Sequence, residues 1–118
     1  MAVSCTRQGI TITDQLLFDT DVDETAETDY FAGSAVLYSI RIENSGALAW
    51  VKLYDNAAPT VGTTHPDYIL QADATTNLTW TIVDGFAMSY TSGAATNSAG
   101  TAGTTTPAGT VKMYAVAR

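Results

Sequence analysis

Gly33-Ser34-Ala35-Val36-Leu37-Tyr38-Ser39-Ile40-Arg41-Ile42-Glu43-Asn44-Ser45-Gly46-Ala47-Leu48-Ala49-Trp50-Val51-Lys52-Leu53-Tyr54-Asp55 is the stretch whose reading decides the fold. Val36, Tyr38, Ile40 and Ile42 alternate along one face, and Leu37, Ser39, Arg41 and Glu43 along the other. That period of two is what a half-buried strand requires. Asn44-Ser45-Gly46 supplies turn residues, with glycine free to take positive φ. The return run alternates again, with Ala49, Val51 and Leu53 opposed to Leu48, Trp50, Lys52 and Tyr54. The reading is a β-hairpin from Gly33 to Asp55, ended by Asp55-Asn56-Ala57-Ala58-Pro59.

Upstream, Gly9 to Phe18 reads as a strand, with β-branched Ile10, Ile12 and threonines suited to a pleated surface. The acidic run from Asp19 to Asp29 is too charged to bury and reads as a solvated loop or extended segment, so residues 1–30 form an N-terminal arm and acidic segment. Downstream, an irregular connection reaches Pro66, and Asp67 to Ala72 is a short strand. In Asn77 to Val83, Leu78, Trp80 and Ile82 oppose Thr79, Thr81 and Val83. Asp84-Gly85 is a hairpin cue, with Phe86 to Tyr90 returning from it. The Ser, Gly, Ala and Thr run from Thr91 to Gly109 predicts a long exposed loop that builds no core. The last strand is Thr110 to Ala117, with Val111, Met113 and Ala115 opposite Lys112, Tyr114 and Val116. About seven strands and no helix predict an all-β fold, an antiparallel, jelly-roll-like β-sandwich with an extended N-terminal arm. It forms one domain over residues 1–118.

The composition is 46% hydrophobic and only 14% charged, against about 25% charged in an ordinary soluble domain. A polar but weakly charged surface is poorly protected against association, which points to a chain partly covered by partners. The net charge is −7, and Arg7, Arg41, Lys52, Lys112 and Arg118 are scattered. Binding to nucleic acid or to an anionic membrane is therefore not expected. The single Cys5 reads as a small hydrophobe. The first seven residues lack the pattern of a secretory signal, and no apolar run approaches the roughly 20 residues that span a bilayer. The expectation is a soluble, cytoplasmically made protein, in which the sequon Asn77-Leu78-Thr79 is strand sequence.

Reactive groups are sparse. His65 is the only histidine, and it lies in a loop without a nucleophile motif. One Cys and one His cannot supply a zinc site. Asp19-x-Asp21-x-Asp23 copies the opening of an EF-hand loop, but the sixth position is Glu24 instead of Gly and the twelfth is Tyr30 instead of Glu. Asp55, Asp67, Asp73 and Asp84 sit at strand ends and turns, ordinary places for Asp. No catalytic activity, cofactor or metal is expected. Trp50, Trp80, Tyr54 and Tyr90 would be the stacking platforms of a sugar-binding module, against the alternative of core or interface packing.

Tyr38-Ser39-Ile40-Arg41-Ile42-Glu43-Asn44-Ser45-Gly46, then Ala49-Trp50-Val51-Lys52-Leu53-Tyr54-Asp55, resembles small β-sandwich structural proteins of tailed bacteriophages, of the head-decoration or cement type. The likeness continues through Ala58-Pro59-Thr60-Val61-Gly62-Thr63 to Asp84-Gly85-Phe86 and covers roughly half of the chain. The resemblance implies a virion protein on the capsid surface that binds the major capsid protein or other virion proteins as a homo-oligomer, commonly a trimer. It carries no active-site residues. Face alternation names Tyr38, Trp50 and Tyr54, with the arm around Ile10 and Ile12, as interface candidates. The arm is suited to adding a strand to a neighbour's open sheet edge. The alternative is a carbohydrate-binding or receptor-binding module on a phage tail or other surface appendage.

Overall fold

The computed structural model describes Val3–Arg7, with the side chain of Val3 alone, and residues 14–118. Among these residues there is no helix. Eight strands form: β1 (Val3–Arg7), β2 (Gln15–Asp19), β3 (Ala35–Asn44), β4 (Ala49–Tyr54), β5 (Tyr68–Ala72), β6 (Thr76–Met88), β7 (Ser92–Thr96) and β8 (Val111–Ala117). They make a large sheet in the order β1-β2-β8-β3-β6 and a small sheet in the order β5-β4-β7. Every pairing is antiparallel.

The acidic segment completes the small sheet. Glu27 and Gly93 exchange backbone hydrogen bonds of 2.9 and 3.0 Å, Ala95 donates to the Asp23 carbonyl at 2.7 Å, and Tyr30 donates to the Thr91 carbonyl at 2.7 Å. The run that reads as too charged to bury therefore lies along the free side of β7. Its inward groups are Asp19 and Val22, at 0% and 1% exposure. Counting this segment as a strand, β2-β8-β3-β6 faces acidic segment-β7-β4-β5, which is the double Greek key of a jelly roll. The described part of the arm, β1, is extended but pairs with the chain's own β2.

The predicted hairpin is not one. β3 and β4 lie in different sheets, because the link after Asn44 turns a corner between layers. Asn44 is 3% exposed. Its side-chain amide donates to the carbonyls of Ala47, Ala72 and Asp73 at 2.9, 3.1 and 3.2 Å, while its oxygen accepts from Gly46 N–H at 3.0 Å. One side chain thus ties the corner to the β5–β6 connection. Backbone groups of Gly46 and Gly109 approach so closely that neither position admits a Cβ.

The alternation of β3 also breaks. Ala35, Leu37, Ile40 and Ile42 are buried, whereas Val36 and Tyr38 are not. The register shifts between Leu37 and Ser39 against both neighbours, a β-bulge that resets which side chains face inward. Opposite it, β6 pairs Phe86 with Leu37 and Thr81 with Ser39, so residues 82–85 stand against Tyr38 alone. Asp84-Gly85 is accordingly a bulge within one continuous strand and not a hairpin. Gly85 has φ +70, and a Cβ there would lie 2.5 Å from Val36 Cγ1 and 2.9 Å from Tyr38 Cε1.

The core between the sheets is built from Leu17, Leu37, Ile40, Ile42, Val51, Leu53, Val111 and Met113, with Tyr30 and Phe31 closing one end. The low-complexity run departs furthest from expectation. Its first part is β7, buried throughout. Its small side chains let other groups come close: a Cβ on Gly93 would lie 2.8 Å from the Tyr30 hydroxyl. Its second part folds back over β4. There Lys52 Nζ donates to the carbonyls of Gly100 and Gly103 at 2.7 and 3.2 Å. Lys52 and Tyr54, on the outer face of β4, are both 0% exposed.

The Tyr54 hydroxyl is buried without a hydrogen-bonding partner in the protein. An unpaired buried hydroxyl costs about 1–3 kcal/mol, whereas truncating a packed aromatic ring costs about 3–5 kcal/mol. Tyr54→Phe should therefore raise the midpoint of thermal unfolding by a few degrees and Tyr54→Ala should lower it sharply. Circular dichroism melts of the two variants check both.

Candidate functional site

The strongest surface feature is the outer face of the large sheet. Leu16 and Phe18 of β2 stand opposite Val116 and Tyr114 of β8, which in turn stand opposite Ser39 and Arg41 of β3. The buried partners of this alternation, Leu17, Met113, Ala115, Ile40 and Ile42, face the core. The outward set lines a shallow groove of about 420 Å³. Leu16 is 40% exposed at its rim.

Tyr114 is fixed from three directions. The Phe18 ring stacks on it at 4.5 Å between centroids and 10° between planes. The Arg41 guanidinium, on the next strand, lies 5.8 Å from the ring centroid. The hydroxyl donates to Glu43 Oε1 at 3.1 Å, and Glu43 Oε2 pairs with Arg41 at 3.2 Å. β2 thus supplies a stacked ring and β3 a guanidinium to the same tyrosine. An ordered apolar surface of this kind loses little side-chain entropy on contact, which favours binding.

The interface candidates named from face alternation scatter. Tyr54, on the outer face of β4, is 0% exposed and so offers no surface to a partner. Trp50 lies on that same face, half-buried. Tyr38 stands at the bulge with Arg118 5.6 Å from its ring centroid. Ile10 and Ile12 lie outside the described residues. Leu16, Phe18, Tyr114 and Val116 were not among those candidates. Alternation marks Tyr114 and Val116 as sharing a face, but only the β2–β8 pairing brings them against Leu16 and Phe18.

The chemistry-bearing residues are occupied locally. His65 is exposed, and its Nδ1 shares a 2.9 Å hydrogen bond with Thr101 Oγ1. Asp55 and Asp67 come together: Asp67 accepts from Asp55 N–H at 2.7 Å and Asp55 from Tyr90 N–H at 2.8 Å. Asp73 accepts from the Gln71 side chain at 2.8 Å. In the EF-hand-like run, Asp19 accepts from Asp21 N–H and Asp23 from Thr25 N–H, at 3.1 and 2.9 Å. These carboxylates turn into their own loop, and among the described residues no cluster of His, Cys, Asp or Glu is arranged to hold a metal ion. Asn77 of the sequon is strand sequence on β6. No helix among the described residues is long and apolar enough to cross a membrane.

No family model, curated protein or solved structure matches the chain.

Among the described residues Asp19 is the one fully buried carboxylate, accepting from the Tyr30 hydroxyl at 2.9 Å. Burial raises its pKa above the ordinary 3.8, against the lowering effect of its two hydrogen bonds, and Asp23 and Asp21 add repulsion. The folded state thus holds this proton more tightly than the unfolded chain. The resulting stability is fully present below pH 3.8 and is lost as pH rises through the higher folded value. The stability of the wild type minus that of Asp19→Asn should therefore fall across that interval and level off above it. Urea titrations of both proteins at stepped pH measure the difference.

Proposed function

We propose that this chain is a non-catalytic binding domain, a structural protein of a tailed-phage virion that seats on the head shell and stabilises it. The observation that carries the reading is the apolar, pre-ordered strip Leu16–Phe18–Tyr114–Val116 on the outer face of the large sheet. It is supported by a difference between the central strands of the two layers: on the outer face of β4 Lys52 and Tyr54 are fully buried and Lys52 is held by the Gly100–Gly103 turn, while on the large sheet Leu16 is exposed and Phe18, Tyr114 and Val116 are half-exposed among the described residues. The sequence resemblance to head-decoration proteins and the low charge of the chain point the same way. A shell offers many equivalent sites, so each copy needs only modest affinity, and self-association multiplies it through effective concentration. Few charges in the contact keep its desolvation cost low.

A glycan-binding reading asks for an open aromatic face on which a sugar ring can stack. Tyr114 is already stacked on Phe18 and lies beside the Arg41 guanidinium, so the strip suits a protein surface better than a saccharide.

Leu16→Asp combined with Val116→Asp places two charges in the strip and leaves the core side chains untouched. Co-sedimentation with shells assembled without the protein should show at least tenfold weaker binding, about 1.4 kcal/mol, with the melting temperature of the free domain unchanged. Binding equal to wild type would remove this face from the account.

A further inference from the structure

We propose that the free edge of β6 pairs with the β6 of a second copy across a two-fold axis. The inference deepens the self-association in the reading above and gives it a different symmetry from the three-fold one that the resemblance implies.

Four observations lead there. Among the described residues β6 ends the large sheet and is hydrogen-bonded to β3 only, so every second residue turns its backbone N–H and C=O outward. The core stops short beneath it. Leu78, Trp80 and Ile82 point inward but stay half-exposed, while the inward residues of neighbouring β3 and β8 are at most 4% exposed. The edge also lacks the usual guards: Thr76 to Val83 contains no Lys, Arg, Pro or acidic residue. Finally, Thr76 to Thr81 is in unbroken register with β3, and the bulge begins only beyond it, which leaves a straight edge for pairing.

Charge selects the partner. The chain carries a net charge of −7, so two copies repel on average. The stretch from Thr76 to Val83 is without charge, and two such stretches meet without like-charge cost. An antiparallel pair centred on Thr79 is self-complementary, as a two-fold interface must be. It sets Asn77 opposite Thr81 on the outer face and Leu78 opposite Trp80 of the second copy on the inner face. The unfinished core of each copy is then closed by the other. At the far end of β6, the Tyr68 ring packs on Phe86 at 4.3 Å and ties the small sheet to the same flank.

The test uses the full chain. Sedimentation equilibrium should give a dimer whose dissociation constant rises at least tenfold in the double variant Thr79→Lys, Thr81→Lys, since both positions are exposed and charge on an edge blocks pairing. In a Cys5→Ser background, Thr79→Cys should form a covalent dimer under mild oxidation, because directly opposed residues bring their Cα atoms to about 4.5–5.5 Å. Thr106→Cys, in the loop over the small sheet, should form none. A wild-type chain that stays monomeric at every concentration overturns both this pairing and the self-association of the shell-binding reading. A chain that self-associates, ignores the lysines and does not cross-link at position 79 overturns the β6 assignment alone.

Discussion

Strand β3 must keep Leu37, Ile40 and Ile42 together in the core although their spacing breaks the strict alternation of a strand. The extra residue between Leu37 and Ser39 meets that constraint, and much of the molecule follows from it. Residues 82–85 of β6 stand against Tyr38 alone. Gly85 is needed there because Val36 and Tyr38 occupy the space of any side chain. Beyond the bulge, Phe86 comes back into register and reaches Tyr68 of the opposite sheet. Before it, β6 runs straight and, among the described residues, ends the sheet with its edge open.

The two outer faces have different fates for a reason visible in single residues. On the small sheet, Lys52 needs acceptors for its ammonium, and the carbonyls of the Gly100–Gly103 turn supply them. Burial lowers the pKa of that ammonium, since the charged form has lost water. The loop that Lys52 holds lies over β4, while neighbouring β5 keeps Ile69 exposed on the same face. On the large sheet, Leu16 is exposed and Phe18, Tyr114 and Val116 are half-exposed among the described residues. Their mutual packing, with Arg41 and Glu43 alongside, orders them without hiding them.

Much of the fold was legible from alternation. The all-β class, the inward set of β8 and the positions of β4, β5 and β8 follow from period-two patterning, because a strand with one buried face has no other way to arrange its side chains. What local patterning could not show is where the chain changes layer. Asn44-Ser45-Gly46 reads as a hairpin turn, but the Asn44 amide bonds to residues 72 and 73, and that long-range contact makes it a corner. Asp84-Gly85 carries the same kind of cue, and ladder pairing to β3 overrides it. The acidic run and β7 both escape local patterning for one shared reason. Each looks too polar or too small for a core, yet each satisfies the other's backbone, with Tyr30 filling the space that Gly93 leaves. Of the contact strip, the outward set of β8 was legible in sequence and its partners on β2 were not.

On the proposed reading, the outer face of the large sheet, and not that of the small one, is the surface that meets a partner. Hydroxyl-radical footprinting of the free protein and of the protein seated on shells reads this directly. The prediction is strong labelling of Leu16, Phe18, Tyr114 and Val116 in the free state and protection on docking, with Tyr54 silent in both. Continued labelling of that strip on the docked protein, with protection instead around Trp50 and the loop of residues 97–110, would contradict it.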